Sequence, residues 1–186
     1  MLVVILCVGC GGGAKQVVKK PVKKKPVFDK PLPVYVTAGD AYNRKPAPSR
    51  ALLYHIKWTE AQLQASDEGI FAGTMEGVTG EIYDKDGKGK VASTFKGDHA
   101  EAAKATLLLT VTNHIQIESL DRKAMLTCDR VEWQGNEKMY KAFGNVVVRG
   151  TFGELTGLNE VWATDDLAFI STPDAFKRPP KAIKRP

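Results

Sequence analysis

Three cysteines, three histidines and several short acidic runs carry the obvious chemistry in this sequence, and their spacing decides what each can do. Cys7-x-x-Cys10 has the spacing of a redox dithiol, but it lies in an apolar leader rather than at a strand-to-helix turn. Gly87-Lys88-Gly89-Lys90 is not a phosphate-binding loop, because the upstream glycine and the strand-to-helix setting are missing. A calcium loop starting at Asp84 would put Lys88 at its fifth position and Phe95 at its twelfth, where a bidentate Glu is required. Asp86-Gly87 therefore reads as a hairpin tip. His55, His99 and His114 are far apart and have no ligand-spaced partner. Asp98-His99 are neighbours on a strand, so they point to opposite faces and cannot act together; Asp165-Asp166 split the same way or cap a turn. No Ser-His-Asp, paired-carboxylate or Cys-His set emerges, so no enzyme, no cofactor and no metal is expected. Cys128 is expected to be a small buried residue.

Cys10 fits a different chemistry. Leu2 to Val8 is apolar, Gly9 is small, and Cys10 is followed by Gly11, Gly12 and Gly13. That is the outline of a bacterial lipoprotein signal, with residues 1–9 removed and Cys10 lipidated as the new N-terminus. The usual Leu three residues before the cysteine is replaced by Cys7, with Leu6 one position further out. The apolar stretch is far shorter than the ~20 residues needed to span a bilayer.

Charge is divided sharply along the chain. Lys15 to Arg50 holds ten bases and two acids, net +8, and Lys177 to Pro186 holds five bases and no acid. The stretch 51–176 carries net −7. A nucleic-acid binder needs its basic patch on the folded face, so no nucleic-acid partner is expected. The basic segments suit an anionic lipid surface instead. Prolines 21, 26, 31, 33, 46 and 48 mark residues 10–50 as an extended linker after the lipidated cysteine, and Pro179, Pro180 and Pro186 mark residues 177–186 as a second disordered basic tail.

What must position any site is a set of strands. Leu107, Leu109 and Val111, then Ile115 and Ile117, then Val146 and Val148 follow a period of two, with turns at Asp86-Gly87, Thr112-Asn113, Gly135-Asn136 and Gly144-Asn145. This predicts an all-β, antiparallel domain over 51–176. Ala100 to Leu109 has helix-friendly composition but no cap or sustained helical period, and is expected to be strand and turn. An imperfect repeat near 30 residues runs through it. Leu126-Thr127 with Trp133 is matched by Leu155-Thr156 with Trp162, and Asp98 and Glu101 stand where Asp129 and Glu132 stand. Such a period suggests stacked β units burying a shared apolar face. That face is expected to comprise Leu107, Leu109, Val111, Ile115, Ile117, Leu126, Val131, Trp133, Val146, Val148, Leu155, Trp162 and Phe169. It is either a closed core or an open groove able to hold acyl chains.

Together, the segments Gly77-Val78-Thr79-Gly80-Glu81-Ile82-Tyr83, Leu126 to Asp129 before Trp133, Ala142 to Val148, and Leu158 to Ala163 before Ser171-Thr172-Pro173-Asp174 resemble the LptC family. These are periplasmic lipopolysaccharide-transport proteins, related to LptA and to OstA-like domains. The resemblance covers roughly Leu52 to Phe176. It implies a β-jellyroll that takes lipopolysaccharide from an inner-membrane ABC transporter and passes it edge to edge to an LptA-like jellyroll. The acyl chains would lie in the apolar interior, and the transporter would supply the energy. Typical members are held by a transmembrane helix, whereas this chain is expected to use the lipid on Cys10, at the periplasmic face of the inner membrane. The alternative is an envelope lipoprotein whose β-sandwich binds glycan or a protein partner through Trp133 and Trp162. Mass spectrometry of the mature protein is expected to find an acylated Cys10 at the N-terminus; an unmodified Met1 would remove the lipoprotein assignment.

Overall fold

A computed structural model describes residues 32–45, 48–66, 69–84, 89–103 and 105–176. The expected signal peptide, Cys10, the Lys15–Lys25 run and the tail 177–186 lie outside the described residues.

The fold is all-β. Nine strands run in chain order in one sheet: β1 (Leu32–Arg44), β2 (Leu52–Ser66), β3 (Gly69–Tyr83), β4 (Val91–Ala103), β5 (Leu108–Ser119), β6 (Ala124–Gln134), β7 (Met139–Gly150), β8 (Gly153–Thr164) and the short β9 (Ile170–Ser171). Every neighbouring pair is antiparallel. One helical turn, α1 (Pro173–Phe176), follows. As expected, β4 ends at Ala103 and β5 starts at Leu108, with a turn between them rather than a helix.

The start of the domain needs correction. β1 begins at Leu32, inside the stretch expected to be linker. Val34, Val36 and Ala41 alternate with polar or aromatic neighbours, which suits an edge strand. Pro33 is tolerated because an edge strand leaves half of its N–H groups outside the ladder.

These strands are long, and a flat sheet of them would expose a whole apolar face. The sheet folds on itself instead. Register breaks between Lys96 and His99, Thr112 and Ile115, Thr127 and Arg130, and Phe143 and Val146 line up across adjacent ladders. The β2–β3 ladder likewise skips from Lys57 to Glu60. Left-handed backbone marks the same line: Gly77 (φ 56°), Asn113 (φ 64°), His114 (φ 48°), Gly144 (φ 72°) and Asn145 (φ 45°). At Gly144 a side chain would both strain the backbone and run into the Asp129 carboxylate. Such bulges bend a strand and raise its twist locally. A row of them makes a crease.

The crease divides the strands into two layers. The first holds residues 40–44, 54–57, 79–83, 91–96, 115–119, 124–128 and 146–150, and the second holds 32–37, 60–66, 69–76, 99–103, 108–112, 130–134, 139–143 and 160–164. Contacts between strands that are not neighbours show the layers face to face. Tyr54 of β2 meets Trp133 of β6 edge-on, with ring centroids 5.4 Å apart at 88°. The hydroxyls of Ser93 (β4) and Tyr140 (β7) are 2.7 Å apart. Leu53, Ile56, Ile82, Leu109, Ile117, Leu126, Val131, Val146 and Val148 fill the space between and are fully buried. Each such side chain contributes roughly 1.5–3 kcal/mol by leaving water.

Opposite the crease, the free ends of the two layers are joined by polar groups. Lys138, in the β6–β7 turn, donates to the Tyr83 carbonyl at 2.9 Å and lies 3.6 Å from the Asp165 carboxylate. Ser93 donates to the Asp165 carbonyl at 2.5 Å, and Arg122 reaches Asp166 at 3.3 Å. Both Lys138 and Asp165 are buried. Burial pulls the Lys138 ammonium below the usual lysine range, and the Asp165 charge opposes that shift. Removing one member of such a pair strands the other charge in a dry site. Lys138→Met is therefore expected to lower the unfolding free energy by about 3 kcal/mol in urea denaturation. A loss well under ~1 kcal/mol, the range of an exposed pair, would show that this seam does not hold the layers together.

Candidate functional site

The apolar residues expected to line a groove separate into two groups. Leu109, Val111, Ile115, Ile117, Leu126, Val131, Trp133, Val146 and Val148 all point between the layers and are buried, and Leu107 packs partly buried against them. They form a close-packed core across β5–β7. Leu155, Trp162 and Phe169 depart from the expectation. Leu155 shares the inner row with Leu126 and Val148, yet it is 51% exposed, because this part of β8 has no second-layer strand over it. Trp162 sits on the outer face. The β6–β7 ladder has one register break where the β7–β8 ladder has two, so the same seven-residue spacing from Leu126 to Trp133 and from Leu155 to Trp162 ends on opposite faces. There Lys141 Nζ lies 4.8 Å from the Trp162 ring centroid, and the indole N–H donates to Glu160 at 2.8 Å. Phe169 falls in the turn after β8, outside the strand pattern, and is 37% exposed.

Open apolar space lies elsewhere, at the β1 end. A cavity of about 260 Å³ separates the layers there. Ala41, Tyr42, Asn43, Tyr54 and Ile56 line it from the first layer; Leu63, Ala72, Met75 and Ala102 line it from the second; Trp58 stands at the crease. Three alanines among these residues leave room that larger side chains occupy further along the sheet. Trp58 lies flat over Gly39 of β1, where even a methyl group would press on the indole at 2.9 Å. The polar groups on the cavity wall include Tyr54, with the Asn43 side chain bonded to it. Burial, opposed by that bond, still raises the Tyr54 phenol above its ordinary range. Apolar walls with a few polar groups are the usual make-up of a small-molecule site. None of the residues expected from sequence to form the groove lines this cavity. Its β1 contribution lay inside the presumed linker, and its alanines carry no periodic signal.

A larger depression, about 680 Å³, follows the outside of the crease and is lined by Lys96, Asp98, His114, Gln116, Thr127, Asp129 and Asn145 among others. It is shallow, and four of its polar side chains are already paired with one another. His114 Nδ1 is 2.6 Å from Asp98, and Asn145 donates to Asp129 at 2.8 Å. We therefore give the smaller apolar cavity precedence as the site.

The histidines remain apart from one another, each bound to a carboxylate on a neighbouring strand. His55 is 2.8 Å from Asp40 and stacks on Tyr42 at 4.0 Å; His99 is 2.7 Å from Glu76. Asp98 and His99 turn to different partners. No group of three or more potential metal ligands occurs among the described residues. Cys128 is a buried free thiol whose pKa burial pushes up to about 12, so it is inert at neutral pH.

The edges complete the geometry. β1 has no neighbour on its outer side, and β9 pairs only with Trp162 and Ala163, leaving residues 153–158 of β8 as a second open edge. No helix among the described residues is long and apolar enough to cross a membrane. The chain matches no protein-family model, and no curated protein is similar to it in sequence.

Proposed function

We propose that the protein is an envelope lipid carrier of the LptC type, which holds acyl chains of lipopolysaccharide between the two layers of its folded sheet. The observation that carries this reading is the apolar cavity between the layers, placed at the open β1 edge rather than sealed inside the core. An acyl chain there would be shielded from water on two sides at a favourable ~25 cal/mol per Å² of surface removed. The unpaired edges of β1 and β8 suit strand addition by an LptA-like jellyroll on one side and transporter-associated domains on the other. An acidic folded domain on a basic, lipid-anchored tether fits work beside an anionic membrane.

The alternative, a sandwich that binds glycan or protein through Trp133 and Trp162, draws less support. Trp133 is 1% exposed inside the core and Trp162 lies on the opposite face, so the two cannot form one platform.

A photo-crosslinking residue at Met75 or Ala102 is expected to capture lipopolysaccharide in a diderm host. The same residue at Lys57 or Gln62, which point outward, or at Val148 in the closed core, should capture none. Equal labelling at inward and outward positions would overturn the reading.

A further inference from the structure

Odd-to-even connections emerge at the free end of the first layer: β1–β2, β3–β4, β5–β6 and β7–β8. Turn tips there would ordinarily carry Gly, Asn, Asp or Ser. Two of these carry large apolar side chains instead. Leu120 opens the β5–β6 turn and is 73% exposed; Phe152 sits in the two-residue β7–β8 turn and is 61% exposed. The pairing of Met125 with Arg149 makes these neighbouring hairpins, and Leu155 lies on the strand that leaves the second turn. Three of the seven exposed large apolar residues among the described residues are thus gathered at one corner, whereas isolated ones are ordinary on a protein surface.

None of the three belongs to the buried core. Phe152 lies against the bare backbone of Gly150, and Leu120 and Phe152 are absent from the core and from the side chains packed on it.

The charge around them is also distinctive. Lys123 follows Leu120 unpaired, Arg122 beside it reaches Asp166, Arg149 before the Phe152 turn pairs with Glu154, and an ion pair from Lys90 to Asp121 brings the β3–β4 connection alongside. Among the described residues, 84, 89–90, 120–123 and 149–154 together carry +1, against −7 for the stretch 51–176 as a whole. Lys123 has no ion-pair partner among the described residues.

We propose that this corner is a membrane-docking edge, with Leu120 and Phe152 inserted among the headgroups of an anionic phospholipid bilayer and the surrounding Arg and Lys on its phosphates. Apolar tips ringed by cations combine the two attractions that hold a peripheral protein at a bilayer surface. The acidic remainder of the domain would be held away from the same surface. The proposal does not depend on what fills the cavity between the layers.

The test is sedimentation of the full chain, without acylation, on vesicles of phosphatidylethanolamine and phosphatidylglycerol. It is run at low salt and again at high salt, where attraction through the basic tether is screened. Leu120→Ser/Phe152→Ser alters only exposed side chains, and a Val34→Ser/Tyr35→Ser double variant at the β1 edge serves as a control for exposed apolar surface in general. At high salt the wild type and the control are expected to sediment alike, and Leu120→Ser/Phe152→Ser to bind roughly tenfold more weakly. Equal sedimentation of all three proteins, including none by any of them, would overturn the proposal. So would a vesicle-independent dimer that the turn substitutions abolish, since the corner would then be a contact between copies of the chain.

Discussion

Everything in this fold depends on one constraint: a single nine-stranded sheet with one apolar face has to cover that face with itself. No second sheet and no long helix is available among the described residues to do so. The solution is the crease, where bulges and left-handed residues fall at corresponding positions in successive strands. The outward pairs at this line, His114 with Asp98 and Asn145 with Asp129, secure each bend to its neighbour. A single misplaced bulge would turn every side chain beyond it to the wrong face, so the alignment of these breaks is what makes a common core possible.

The two ends of the folded sheet are unlike one another. Towards β5–β9 the layers meet closely: Trp133 lies on Tyr54, Tyr140 on Ser93, and Lys138 joins the free ends through Tyr83 and Asp165. Towards β1 three of the facing side chains are alanines, no comparable seam occurs among the described residues, and the apolar cavity remains. The packing therefore grades from a closed core to an open trough along a single sheet. A ligand held in the trough would enter from the β1 side, because the other end is already filled.

Much of this was legible in the residues, and the failures have physical causes. Period-two alternation identified Leu109, Val111, Ile115 and Ile117 of β5 and Val146 and Val148 of β7 as inward, but not Tyr140 and Ala142 of β7. It could not locate the crease: Thr112-Asn113 and Gly144-Asn145, expected as turns between strands, are bends inside β5 and β7. The repeat carried Trp133 over to Trp162, but an additional register break in β8 reversed the face. Leu155 has the correct face and still lacks cover, because exposure depends on which strand lies opposite, and sequence periodicity does not encode that. Prolines hid β1 within an apparent linker, although an edge strand accommodates Pro33 without losing its pairing to β2. The cavity was missed for the same reason, since it is built from that strand and from alanines.

The central claim is that the space between the layers at the β1 end holds an acyl chain. Methyl NMR of the protein titrated with dodecanoate tests this most directly, through intermolecular contacts between the chain and assigned methyl groups. The account predicts contacts to Met75, Leu63 and Ile56 in the cavity, with Val148 and Leu126 in the closed core untouched. Contacts confined to the exposed methyls of Leu120 and Leu155, with none to Met75, would contradict it.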